Sequence, residues 1–163
     1  MTVSGVVAGL DRLRSWQEDF YRDLHAHPEL SHQERRTAAL VSESLRDAGY
    51  EVHDGVGGTG VVGVLGNGAG PTVLLRADMD ALPVHEATAL PYASEVTAFD
   101  AAGEKVPVAH ACGHDVHVSC LIGAARLLAT AGPNGVGPSS RCSSWPRNPV
   151  TEPAECSTTD SPS

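Results

Sequence analysis

At 163 residues the chain has room for one domain with a real hydrophobic core, and it is too short for a two-domain enzyme of ordinary size. Eleven Lys and Arg against twenty Asp and Glu give a formal charge of -9 with no basic block, which argues against a phosphate-backbone partner such as nucleic acid. No stretch approaches the roughly 20 apolar residues of a bilayer span, and the opening segment to Leu10 lacks a positive flank and ends at Asp11 and Arg12, so neither a membrane partner nor a secretory leader is expected.

Leu10, Leu13, Trp16, Phe20 and Leu24 recur every three or four positions and predict a first helix ending near Pro28. Ser31 followed by Glu34 reads as a capping box, and Ala38, Val41, Leu45 and Ala48 form the stripe of a second helix stopped by Gly49. The pattern then turns to β. Tyr50 to His53, Gly60 to Gly66 and Thr72 to Ala77 read as strands, with Asn67-Gly68 in the short turn between the last two. The nearly continuous runs Val61, Val62, Val64, Leu65 and Val73, Leu74, Leu75 predict strands buried on both faces.

Residues 81–109, punctuated by Pro83, Pro91 and Pro107, read as loops with one short strand. From Val116 to Thr130 an apolar helix returns, with Asp115 placed to cap it, and its all-round apolarity predicts burial. These elements make an α/β or α+β layered sheet with covering helices. The last 32 residues contain no Leu, Ile, Phe, Tyr or Met and are crowded with Pro and Ser, so 132–163 is expected to be a disordered tail that cannot extend the core.

The cysteines Cys112, Cys120, Cys142 and Cys156 form no CxxC pair, which fits a reduced, cytoplasmic setting. The densest set of donors is His110-Ala111-Cys112-Gly113-His114-Asp115-Val116-His117, a loop running into a buried helix. Cys112 and His114 lie two apart, so an extended loop can turn both toward one point, and a helix start favours the thiolate. Such a pair suits a borderline-soft divalent ion, Zn, Mn, Co or Ni. Three other readings stay open: Cys112 as a small buried hydrophobe among ordinary loop histidines, a closed structural zinc site for which no second ligand pair is seen, and a cysteine nucleophile with a histidine base.

A second cluster, Arg76-Ala77-Asp78-Met79-Asp80-Ala81-Leu82-Pro83, sits at the C-terminal end of a strand, where open α/β sheets place ligands. Its acids are either solvated turn residues, or Asp80 accepts a hydrogen bond from a metal-bound imidazole and fixes its tautomer, which requires the two clusters to meet. His25 and His27 are read as structural, since Pro28 and Ser31 account for a helix stop and cap. Glu86, His85, His53 and His117 have no pattern of their own and are read as surface or supporting residues.

In order and spacing, LHAHPELSHQE (24–34), LLRADMDALPVHE (74–86) and HACGHDVHV (110–118) resemble three motifs of the hippurate hydrolase, N-acyl-amino-acid and indole-acetyl-amino-acid amidohydrolases, within the aminoacylase and carboxypeptidase G superfamily of metallopeptidases. The resemblance covers roughly 8–131, about the first third of such an enzyme. It implies that 1–131 is the N-terminal part of a catalytic α/β domain of the zinc-exopeptidase type, here incomplete. It also implies hydrolysis of the amide of a small-molecule N-acyl amino acid, and a homodimer or oligomer for the full-length enzyme. Carried over by motif, Cys112 and His114 are metal ligands and Asp80 is the catalytic-site acid that orients them. Asp78 and Asp115 share those motifs without an assigned role, and His117 is a near neighbour.

The sequence departs from the family after residue 131. The Gln-Pro-Ala-Glu-Glu segment that supplies a general base and a metal-binding glutamate does not follow the helix 116–130, nor do the later ligand histidines. Glu152-Pro153-Ala154-Glu155-Cys156 is only superficially alike. The chain is therefore expected to be a truncated, inactive amidohydrolase, with a non-catalytic binding or regulatory fragment as the alternative. Back-translating Pro138 to Asn148 with GC-ending codons where synonyms permit, and rereading from each third base, gives V-V-A-V-L-Q-L-A-E-E, so the tail is expected to be a frameshift product.

Overall fold

The computed structural model describes residues 3–66, 69–130 and 139–143. In chain order these form α1 (Val3–Val7), α2 (Leu10–Ala26), α3 (Arg35–Asp47), β1 (Glu51–Val56), β2 (Gly60–Leu65), β3 (Val73–Ala77), β4 (Thr97–Phe99), β5 (Lys105–Pro107), α4 (His114–Thr130) and β6 (Ser139–Ser143). The layered α/β class expected from the sequence is the class observed.

α2 buries Phe20 and Leu24, two members of the apolar stripe. α3 starts at Arg35, three residues later than a capping box at Ser31 predicts, and by a different device. Glu34 makes no side-chain cap, and the Ser31 hydroxyl is buried without a partner among the described residues. The free amides of Arg36 and Thr37 donate instead to the two carboxylate oxygens of Glu29, at 2.9 and 2.7 Å. Glu34 is buried and accepts from the Thr59 hydroxyl at 2.6 Å. At the other end Gly49, at φ 85, closes a Schellman turn in which its amide bonds the Arg46 carbonyl and that of Tyr50 bonds the Leu45 carbonyl.

The main sheet has the order β1-β2-β6-β3. β1 and β2 pair antiparallel, with Glu51 opposite Val64. β6 runs antiparallel to β2, Val61 opposite Ser143, and parallel to β3, Val73 opposite Ser139. Two expectations change here. β2 and β3 are not neighbours, since β6 lies between them; the Asn67-Gly68 turn itself lies outside the described residues. And part of the tail, 139–143, does join the sheet, because the facing backbones of β2 and β3 supply the donors and acceptors of a strand slot whatever side chains fill it. The rest of 132–163 lies outside the described residues.

β3 also departs from its pattern. Val73 and Leu74 are 51% and 62% exposed, because β3 is the last strand in the sheet order rather than a central one. β2 keeps Val61 fully buried. Residues 81–109 carry two short strands rather than one, β4 and β5, paired as an antiparallel hairpin.

Phe20, Leu24, Val41, Leu45, Tyr50, Val61, Met79, Val118, Ile122 and Ala125 form the principal core between helices and sheet. The Tyr50 hydroxyl satisfies the Ala125 carbonyl at 3.1 Å inside it. α4 starts two residues earlier than predicted and is not buried all round: Val116 and Cys120 are exposed, while Val118, Ile122 and Ala125 are fully covered. Among the described residues, no helix is long and apolar enough to cross a membrane.

Candidate metal centre

The three motif segments are far apart in sequence and are sewn together by backbone bridges. Leu30 pairs with Ala81 in parallel, and the Ala81 amide donates to the Glu29 carbonyl at 2.7 Å. Leu82 pairs with Ala109 antiparallel, exchanging both hydrogen bonds at 3.0 Å. Leu30, Ala81 and Val108 bury a small second core beneath these bridges. The segment leaving β3 is thus held between the end of α2 and the loop entering α4.

That placement brings Asp80 against His114. The imidazole Nδ1 of His114 lies 2.8 Å from the Asp80 carbonyl oxygen and 2.9 Å from its carboxylate Oδ1. Both neighbours are acceptors, so Nδ1 carries the proton and donates, leaving Nε2 with the lone pair of a neutral ligand. The carbonyl takes the hydrogen bond; Oδ1 stands off the donor line and, buried, has no hydrogen-bond partner among the described residues. Both side chains are nearly covered, at 7% and 11% exposure.

Gly113, between the two predicted ligands, sits at φ 73, a left-handed conformation that costs a residue with a Cβ roughly 1–2 kcal/mol. Its carbonyl accepts the His117 amide at 3.0 Å, which turns the chain into α4 immediately after an exposed, free Cys112. The thiol therefore lies at the surface rather than in the core, which removes the small-hydrophobe reading. The His117 ring lies 5.9 Å from that of His114. Asp78 pairs with Arg76. Among the described residues, no group of three or more His, Cys, Asp or Glu side chains converges as a metal site.

The donor set nevertheless fits the first part of one. It offers a thiol at a helix start, an imidazole whose tautomer is fixed by the Asp80 backbone, and a buried carboxylate oxygen with unused acceptor capacity.

Behind His114 lies a second polar cluster. His25 Nδ1 meets Asp115 Oδ2 at 2.7 Å, and its Nε2 meets Glu86 Oε1 at 2.9 Å. Burial pushes the imidazole toward neutrality, but hydrogen bonds and charge from Glu86 and Asp115 outweigh it and raise its pKa above the ordinary value. For Glu86 burial acts upward, and the Thr88 hydroxyl, the Ser94 amide and His25 more than reverse it, bringing the carboxyl down to about 2. His110, 8% exposed, has both ring nitrogens unpartnered among the described residues, and burial holds it neutral.

The His25 network gives a pH dependence with a definite sign. A histidine whose folded pKa is raised stabilises fully below its ordinary value of 6.5, and loses that contribution as pH rises through the folded value. The urea midpoint of the unsubstituted chain should therefore fall as pH rises above about 7.5 and through the folded value of His25, a window in which His110 has lost its proton in both states and contributes no slope. His25→Gln should lie flatter across the same window; equal slopes in the two chains would remove the assignment.

The sequence leaves the meeting of Asp80 with a histidine of the other cluster as a condition, with the carboxylate rather than the carbonyl as acceptor, and it gives His25 and Glu86 only structural or supporting roles. Periodicity carries no signal for them, since His25 occupies an ordinary helix end and Glu86 an irregular loop.

A family model for peptidase family M20/M25/M40 matches residues 74–141. The chain is 48% identical over 118 residues to thermostable carboxypeptidase 1 of Saccharolobus solfataricus, covering 71% of this chain and 28% of that protein. It is 46% identical over 119 residues to the hippurate hydrolase of Campylobacter jejuni, covering 72% of this chain and 29% of that one. Among solved structures, the YXEP protein of Bacillus subtilis, described as a dinuclear metal binding peptidase from the M20 family, superposes with a TM-score of 0.70 at 36% identity, covering 81% of this chain and 35% of its own. The chain thus spans a little over a quarter of the length of these curated relatives. Motifs, fold and relatives agree in direction: residues 74–141 match peptidase family M20/M25/M40, and the chain is similar to members of that family.

Proposed function

We propose that this chain supplies the first half of the metal centre of a hydrolase that cleaves the amide of small N-acyl amino acids, hippurate-like substrates among them. The observation that carries this reading is the contact of His114 Nδ1 with the carbonyl and carboxylate of Asp80, which presents Nε2 as a ligand nitrogen beside an exposed thiol. Cys112 and His114 hold a divalent ion, Zn, Mn, Co or Ni, and Asp80 keeps the proton of His114 on Nδ1, leaving Nε2 for the ion. When bound, such an ion polarises the scissile carbonyl and lowers the pKa of a water. Support for the substrate class comes from the hippurate hydrolase above and from an N-acetyl-L-cysteine deacetylase of Bacillus subtilis among the relatives.

None of the described residues is placed as a general base, and no paired glutamates follow α4 in this sequence. Loss of a positioned base typically costs about 10²–10⁴ in rate, so the 163 residues alone should hydrolyse hippurate at or below the detection limit. The cytoplasmic setting and the dimer or larger assembly of the full-length enzyme belong to the same proposal.

The test is a Co²⁺ titration of the unsubstituted chain, read as the near-ultraviolet thiolate-to-cobalt charge-transfer band. The band should appear, and should be lost in both Cys112→Ser and His114→Ala. A band that survives Cys112→Ser, or no band in the unsubstituted chain, would overturn the assignment.

A further inference from the structure

We infer that His25 is a positioning residue for the metal half-site, clamping the first turn of α4 through a Glu86–His25–Asp115 bridge. The inference rests on the assignment of Cys112 and His114 as ligands, and adds to it residues on two further segments.

His25 lies in the last turn of α2, Glu86 in the loop that follows β3, and Asp115 in the first turn of α4, next to His114. The imidazole spans the two carboxylates at 2.9 and 2.7 Å, with side-chain exposures of 11% for His25, 5% for Glu86 and 2% for Asp115. Each end of the bridge is itself anchored. Glu86 Oε2 accepts the Ser94 amide at 2.6 Å and its Oε1 accepts the Thr88 hydroxyl. Asp115 Oδ1 accepts the Val116 amide at 2.9 Å. The rings of Tyr21 and Tyr92 lie 5.6 and 5.4 Å from His25 and wall off its sides.

The loop after β3 therefore reaches α4 twice. Asp80 touches His114 directly, and six residues later Glu86 reaches Asp115 through His25. One contact fixes the rotation and tautomer of the ligand imidazole. The other fixes the backbone that carries it, because Asp115 is the adjacent residue and neither carboxylate can move without breaking its contact to the same buried ring. A ring that only filled space would not need both nitrogens engaged by charged, covered partners.

The test measures Co²⁺ affinity of the full chain by the thiolate band, beside the urea midpoint without metal. His25→Ala removes the bridge, and His25→Gln keeps volume and one hydrogen bond but no charge. Both should weaken Co²⁺ binding about 10-fold, at the low end of the range for groups that orient metal ligands. Leu45→Ala, a core truncation remote from the bridge, should lower the midpoint and leave affinity within about 2-fold. Added imidazole should recover part of the affinity of His25→Ala and none of that of Cys112→Ser. Affinity within about 2-fold of the unsubstituted chain in both His25 variants overturns the positioning role while leaving the ligand assignment standing. A missing band in the unsubstituted chain overturns the ligand assignment, and the positioning role with it.

Discussion

Replacing Asp115 by alanine should cost the fold about 3 kcal/mol, measured as the change in urea unfolding free energy near pH 6. Removing one partner of a buried ion pair typically costs about 3–5 kcal/mol, because the other charge stays buried and unpaired. The lower end applies, since His25 can shed its proton where an arginine could not. Asp115 is 2% exposed and also accepts the Val116 amide, so the substitution removes a helix-start contact as well. The exposed pair Arg22–Glu18, at 3.7 Å with both side chains more than half exposed, gives the contrast. Glu18→Ala should change stability by less than about 0.5 kcal/mol. Asp115→Ala and His25→Gln should be strongly non-additive, since either one alone already breaks the bridge. A cost below about 1 kcal/mol for Asp115→Ala, or additive losses in the double variant, would mean that the three side chains do not act as a unit.

Much of this fold is legible in the sequence where periodicity and burial coincide. The α2 stripe, Val41 and Leu45 of α3, and the Gly49 stop follow from spacing and backbone chemistry that need no tertiary information. Misreadings occur where a local pattern competes with a partner distant in space. Ser31 and Glu34 have the spacing of a capping box, but Thr59 takes the Glu34 carboxylate and Glu29 reaches the Arg36 and Thr37 amides first. Val73 to Leu75 have the composition of a central strand, yet topology puts them at an edge. Ser139 to Ser143 have no strand composition at all, and the slot between β2 and β3 takes them through backbone pairing alone. Composition reports which surfaces a segment would bury and says little about which backbone slots its neighbours leave open.

The site shows the same division. The crowding of donors at 110–117 and the acids at 78 and 80 are visible in the residues, and so is the condition that the two clusters must meet. The bridges that make them meet, Leu30 to Ala81 and Leu82 to Ala109, join residues with no distinguishing chemistry. His25 was hidden for the opposite reason, since Pro28 and Ser31 offered a sufficient local explanation for its segment. Its role emerges only once Glu86 and Asp115, distant by 61 and 90 positions, close on its two nitrogens.

Asp80→Asn separates two tasks that a metal-orienting carboxylate usually performs together. Because His114 Nδ1 already donates to the Asp80 backbone carbonyl at 2.8 Å, the tautomer should survive loss of the carboxylate charge. What disappears is the negative charge 2.9 Å from the ring, which makes the imidazole a stronger ligand. Removal of such a partner costs about 10–100-fold in metal affinity, and with the tautomer retained the loss should fall near 10-fold in a Co²⁺ titration. Stability should move the other way from Asp115→Ala. Asp80 Oδ1 is buried without a hydrogen bond among the described residues, so neutralising the group relieves a desolvation cost, and the metal-free urea midpoint should hold or rise. A 100-fold loss would mean that the carboxylate, rather than the carbonyl, holds the proton on Nδ1. A large fall in metal-free stability would mean that Asp80 is a structural ion-pair partner of a protonated His114, which would count against His114 as a neutral ligand.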